Sequence, residues 1–191
     1  KALSSDAAKN KEIADMLTSG AADVGIATEG LDESPEIATF PFYRWHHAVI
    51  VRKDHPLLRA GAVTLEALGE YPIITYHEGF TGRAHVDKAF ADAGIVPDIV
   101  LSAIDADVIK TYVDLDLGVG IIASMAYDAD KDRNLSLIPV PELFPSNTTR
   151  LAVRRGTYLR SYAYAFIEKV CPDVGEEAVR AALSKQNGSD S

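Results

Sequence analysis

Short runs rich in Val and Ile alternate along this sequence with helix-period segments that stop at glycine, and this alternation limits the fold more than any other feature. The clearest example is "YPIITY" followed by "HEGFTGRAHVDKAF", in which Val86, Ala89, Phe90 and Ala93 share one helical face before Gly94. "KEIADMLTSG" predicts a helix that turns Ile13, Met16 and Leu17 inward and stops at Gly20, and "ADVGIAT" a strand after it. "YRWHHAVIVR" predicts a strand, "TLEALGE" a short helix capped by Thr64, and "PDIVLSA" another strand. "IDADVIKTYVDLDLG" reads as a helix ending at Gly118, followed by the strands "VGIIAS", "LSLIPV" and "TRLAVRR". A last amphipathic helix would bury Leu159, Tyr162, Phe166 and Val170. The opening "KALSSDAAKN" reads as the tail of a strand with a polar loop or as a ragged end, and "KQNGSDS" as a disordered tail. Strands alternating with helices give an α/β class with mostly parallel sheets.

Composition then removes whole classes of function. The 191 residues allow one domain or two small ones. No apolar run reaches the roughly 20 residues that span a bilayer, and no basic-plus-apolar leader points to secretion. Nineteen basic against 28 acidic residues leave a net charge of −9, which argues against this chain gripping nucleic acid itself. Salt screens that charge beyond roughly 8 Å, so an anion site would be built from short-range donors. The one cysteine, Cys171, excludes an internal disulfide framework and suits a reducing, cytoplasmic setting.

Three junctions place a small or hydroxyl residue between the end of a strand and the next helix or loop: "GIAT" at Thr28, "YHEGFTGRA" at Thr81, and "LSAIDADV" at Asp105 and Asp107. Ligands of open α/β sheets bind outside the carboxyl ends of the strands, where helix starts present unpaired N–H groups. Gly79 and Gly82 let the backbone approach a ligand. Thr81 either caps the following helix or turns its hydroxyl outward, and the amides of Gly82 and Arg83 become donors for an oxyanion. Asp105 and Asp107 flank a helix start, where capping is the ordinary role of an acid. Trp45 either lines a cleft or packs in a core. His46 and His47 are neighbours in a strand and point to opposite faces, so they cannot share a metal; no metal site and no cofactor is expected. No nucleophile–base pair, Walker loop or dinucleotide fingerprint occurs, so no enzyme is expected.

"SGAADVGIAT", "FYRWHHAVIV", "DHPL", "YPIITYHEGFTGR", "DADVIKTYV", "LGVGIIASMA" and "RRGTYLRSYAYAFI" together resemble the effector-binding domain of LysR-type transcriptional regulators, and within them the CysB/Cbl branch that governs sulfur assimilation and cysteine biosynthesis. The likeness runs from about Lys11 to Cys171. It implies a two-lobed, type 2 periplasmic-binding-protein-like fold with crossings near Phe42–Val51 and Thr149–Arg155. Lobe I would hold residues 1–42 and 149–184, lobe II residues 43–148, and residues 185–191 the tail. The family's first strand and its Thr-rich loop have no counterpart here, so lobe I is expected to lack that strand. The resemblance also implies a small anionic effector (acetylserine, sulfate, thiosulfate or adenosine phosphosulfate) between the lobes, with Thr28 facing Thr81. The site would be completed by Gly79, Phe80, Gly82, Arg83, Ile104 and Asp105, lined by Trp45 and Ala103, and Ile104 stands where the branch carries Thr. It further implies a homo-oligomer, a dimer of domains in a tetrameric parent, with Lys11–Ser19 and Tyr158–Val170 at the dimer surface. DNA would be bound only by an N-terminal helix-turn-helix that is not part of this chain, and no membrane is involved. The alternative is a periplasmic solute-binding protein for sulfate or an organosulfonate.

Overall fold

The structure, a computed structural model, describes residues 5–28, 31, 34–78 and 82–184, with side chains from residue 11 onward. The expectations for Gly79, Phe80, Thr81 and the 185–191 tail therefore fall outside the described residues. In chain order the elements are α1 (Ser5–Ser19), β1 (Gly25–Ala27), β2 (Ile37–Trp45), β3 (His47–Arg52), α2 (Leu65–Gly69), β4 (Ile73–Tyr76), α3 (Arg83–Asp92), β5 (Ile99–Ala103), α4 (Ala106–Asp114), β6 (Val119–Ala123), β7 (Leu135–Pro139), β8 (Asn147–Arg154), α5 (Ser161–Val170) and α6 (Glu176–Ser184). They fall into two compact units, Lys1–Arg44 with Thr148–Ser191, and Trp45–Asn147.

The first unit has a three-stranded sheet in the order β1-β8-β2, with β1 antiparallel to β8 and Gly25 opposite Ala152. Alternation along β8 feeds both faces. Leu151 and Val153 pack with Leu159, Ala163, Ile167, Val179 and Leu183, whereas Ala152 joins Leu17 of α1, Leu31 and Ile37. The expected face of α5 is corrected here. Tyr162 and Phe166 are 57% and 46% exposed, and the i, i+4 row Leu159–Ala163–Ile167 is inside. The small Ala163 lets the helix sit close to the sheet, and the aromatic row is left outward. Two more expectations change: residues 5–10 are helical rather than loop, and α6, unforeseen, follows Pro172.

The second unit has a five-stranded sheet in the order β5-β4-β6-β3-β7. β4 runs parallel to β5 and β6, but β3 is antiparallel to both β6 and β7, so the sheet is mixed, not mostly parallel. β3 is buried over His47–Val51, and its period of two again divides the core. Val49 and Val51 meet Leu68 of α2 and Val86 and Phe90 of α3, while Ile50 meets Ile109 and Val113 of α4. "YRWHHAVIVR" is not one strand: it breaks at His46, leaving β2 in the first unit's sheet and β3 in this one. α4 ends before Gly118. Asp116 adopts φ 62°, its N–H donates to Val113 O at 2.9 Å, and the Leu117 N–H donates to Tyr112 O at 3.1 Å, the paired bonds of a Schellman stop. Gly118 is needed for a different reason, since a Cβ there would lie 2.4 Å from Pro72 O.

Candidate functional site

The second unit gathers its chemistry at one edge of its sheet. The parallel strands β4 and β5 end together, Tyr76 opposite Ala103, and the His77 N–H donates to Ala103 O at 2.8 Å. The start of β3 lies at this edge too, because His47 pairs with Ala123 at the end of β6. Trp45, His47, Ala103, Ile104 and Asp105 therefore share the carboxyl edge with the start of α3, the position where α/β sheets bind ligands.

Gly82 is the N-cap of α3, at φ 96° and ψ −24°, and contributes no side-chain cap. The cap is thus one residue later than the Thr81 cap that the sequence allowed. Nothing on Gly82 competes for the first-turn N–H groups, which a helix start leaves without intrahelical acceptors. Two facts require glycine here. One is the left-handed backbone. The other is space: a Cβ would lie 2.6 Å from His47 Nε2, 2.8 Å from His47 Cε1 and 3.1 Å from Trp45 Cη2.

Arg83 sends its side chain away from any ligand role. It is 5% exposed, and its guanidinium donates to Tyr76 O at 2.8 Å, Ser102 Oγ at 3.4 Å and Asp87 Oδ1 at 2.7 Å, with Glu78 at 3.9 Å. These bonds tie the start of α3 to the ends of both β4 and β5. A role for Arg83 at an oxyanion would therefore rest on its backbone amide. Asp105 is the N-cap of α4, with Oδ1 accepting from the Val108 N–H at 2.8 Å. Asp107 pairs with Lys110 at 2.9 Å, and its pKa is lowered by that hydrogen bond and charge. Ala103 is buried and Ile104 is 68% exposed. Thr28 belongs to the first unit, where its Oγ1 lies 3.4 Å from Thr149 Oγ1 at the end of β1. The sequence did not single out Thr149 as a neighbour of Thr28.

His47 was missed as well. It is 1% exposed, and neither ring nitrogen has a hydrogen-bond partner among the described residues. Its ring meets Trp45 at 5.2 Å and Phe144 at 5.6 Å, edge-on. Burial, and then the nearby His85 and His46, hold its pKa down to about 4, so the ring is neutral. Asn147, fully buried and also without a partner among the described residues, begins β8. Among the described residues no group of three His, Cys, Asp or Glu could hold a metal, and no helix is long and apolar enough to cross a membrane. Cys171 is buried, and burial raises its pKa.

The chain belongs to the LysR substrate binding domain family, whose model matches residues 2–170. It is 52% identical to the HTH-type transcriptional regulator SsuR of Burkholderia cenocepacia over 173 residues, which is 91% of this chain and 56% of that protein. To the CysB regulator of the same organism it is 49% identical over 172 residues, 90% of this chain and 55% of that one. The chain thus spans little more than half the length of these curated relatives. Its fold matches the crystal structure of the cofactor-binding domain of the Cbl transcriptional regulator, with a TM-score of 0.84 and 41% identity over 92% of this chain and 77% of that one. This is the two-lobed, periplasmic-binding-protein-like α/β architecture of LysR effector-binding domains, and the relatives that carry it are transcriptional regulators rather than enzymes.

Proposed function

We propose that the chain is the ligand-sensing domain of a cytoplasmic LysR-type regulator of sulfur assimilation and cysteine biosynthesis genes, and that it answers to a small anionic sulfur-pathway effector: acetylserine, sulfate, thiosulfate or adenosine phosphosulfate. The observation that carries this reading is the start of α3, capped by a glycine at the carboxyl edge of β4 and β5, in a chain whose relatives are the SsuR, CysB and Cbl regulators. The second unit's side of the site would be neutral. The Arg83 guanidinium and the Asp105 carboxylate are engaged in structural bonds, which leaves backbone amides and, in this reading, Thr81, Gly79 and Phe80 to meet the anion. Converging neutral donors can hold a fully ionised oxyanion, each amide adding a charge-assisted hydrogen bond. An effector moves a regulatory equilibrium only by its different affinity for the two states. Self-association through α1 and α5, whose Met16 and Phe166 are 44% and 46% exposed, and DNA binding by a helix-turn-helix outside this chain complete the proposal. Nothing favours the solute-binding alternative.

Isothermal titration of the purified protein with the acetylserines, sulfate, thiosulfate and adenosine phosphosulfate, repeated on Thr81→Ala, tests the reading. Saturable binding of one ligand, weakened at least about tenfold (the loss of one or two hydrogen bonds) in Thr81→Ala, is expected. Binding untouched by the substitution would remove Thr81 from the site, and no binding of any ligand by the folded protein would reject the effector class.

A further inference from the structure

We propose that the second unit's side of the site selects a singly charged oxyanion bearing a short apolar arm, a sulfonate or a carboxylate, and that Ile104 is the residue the arm covers. The inference rests on the reading that the effector's anionic group binds at the α3 start, and it narrows that effector to one chemical class.

Ile104 comes directly after Ala103, the last residue of β5, which stands opposite Tyr76 at the end of β4. The Arg83 guanidinium donates to Tyr76 O at 2.8 Å and to Ser102 Oγ at 3.4 Å. The first residue of α3 is thus fastened to both strand ends, two positions from Ile104. Neighbouring strands lie about 4.8 Å apart, so Ile104 and the α3 start border one small stretch of the carboxyl edge, the place where α/β sheets take ligands.

At that place Ile104 is largely exposed, whereas Ala103 before it is buried. Covering an aliphatic side chain is favourable when the group laid over it is apolar. A bare inorganic oxyanion gains nothing there, because its oxygens must keep their hydrogen bonds. Single exposed aliphatic residues are ordinary away from such an edge. Val96, more exposed still, precedes the opposite end of β5 and supplies a control.

Charge separates one anion class from another. The side chains of Glu78 and Asp107 are 82% and 90% exposed, those of their cationic partners Arg83 and Lys110 only 6% and 12%. Both cations are also held by a second acid, Arg83 by Asp87 and Lys110 by Asp132. Asp105, next to Ile104, adds a third carboxylate, which accepts from the Val108 N–H. These acids repel a divalent anion twice as strongly as a monovalent one, so the edge suits a single negative charge and a neutral remainder.

The test is isothermal titration of the purified protein with sulfate, with the sulfonates from methanesulfonate to butanesulfonate, and with the carboxylates from acetate to pentanoate. It is repeated on Ile104→Thr and Val96→Thr, whose exposed positions keep folding intact, as melting temperature would verify. Methanesulfonate is expected to bind at least as tightly as sulfate. Each further methylene should tighten binding roughly three- to fourfold, the effect of burying one CH₂, and the series that gains identifies the head group. Ile104→Thr should flatten that gain and spare methanesulfonate or acetate, while Val96→Thr should leave it unchanged. Affinity independent of chain length would overturn the inference and leave the anion site standing. So would tighter binding of sulfate than of methanesulfonate, or a gain that persists in Ile104→Thr or falls equally in Val96→Thr. An unmodified protein that binds none of the probes would overturn the anion reading and this inference with it.

Discussion

Gly82 shows how much one residue can be asked to satisfy. Its φ of 96° excludes most side chains, and His47 leaves no room for a Cβ. Backbone strain of about 1–3 kcal/mol adds to overpacking of similar size, so Gly82→Ala is expected to destabilise the protein by about 2–5 kcal/mol, read by urea denaturation; a loss under about 1 kcal/mol would mean that the contact yields easily. His47 makes a second prediction at this scale. Its folded pKa is lowered to about 4 from 6.5, so the native form is the neutral ring. Stability from this group is complete above pH 6.5 and falls as pH drops from 6.5 toward 4, where the unfolded chain binds a proton that the folded one refuses. The slope approaches about 1.4 kcal/mol per pH unit at most. Exposed carboxylates with lowered pKa, among them Asp54 and Asp128, act at lower pH. Subtracting the same profile for His47→Phe isolates the histidine, and identical profiles would show that its ring titrates normally. The sequence offered Gly82 as a turn residue and ligand approach, but its partner His47 lies 35 positions earlier in the chain, and no local pattern announces that meeting.

Among the elements, the legible ones were those whose ends carry their own chemistry. α2 is capped by Thr64, whose Oγ1 accepts from the Ala67 N–H at 3.2 Å, and α4 by Asp105 at 2.8 Å; both caps could be read from residue type and spacing. Asp105→Ala is expected to cost about 1 kcal/mol of stability, whereas Asp105→Asn keeps an acceptor and costs less. Because Asp105 would also place a negative charge near the proposed anion, Asp105→Asn is expected to strengthen sulfate binding, and weaker binding would mean that the carboxylate serves the ligand directly. Elements were misread where tertiary contacts decide. The aromatic row of α5 looked like the buried face, yet the smaller Ala163 and Ile167 pack on the sheet, since helix–sheet distance favours small residues at closest approach. Likewise "DLDLG" reads as helix continuing to a glycine, but Asp116 takes the left-handed turn itself. Strand direction was also hidden, because no glycine or proline marks the break at His46, after which β3 runs antiparallel to β6.

At the scale of the molecule, the α/β class and the family were both legible, the first from strand–helix alternation and the second from the phrases around Thr28, Thr81 and Asp105. What could not be read was which of those residues face a ligand. The sequence offered Arg83 through its amide and Asp105 first as a cap, and the side chains of both are bound into the scaffold. The exposed Met16 and Phe166, on α1 and α5, bear on assembly. Introducing glutamate at both is expected to lower the mass seen by light scattering, and an unchanged mass would exclude these helices from the interface. The proposed role of the α3 start is decided by a crystal structure of the protein with sulfate or the tightest-binding effector of the titration. The oxyanion is expected within hydrogen-bond distance of the Gly82 or Arg83 amide, with His47 still packed beneath Gly82. An oxyanion held elsewhere, with those amides turned to solvent, would contradict it.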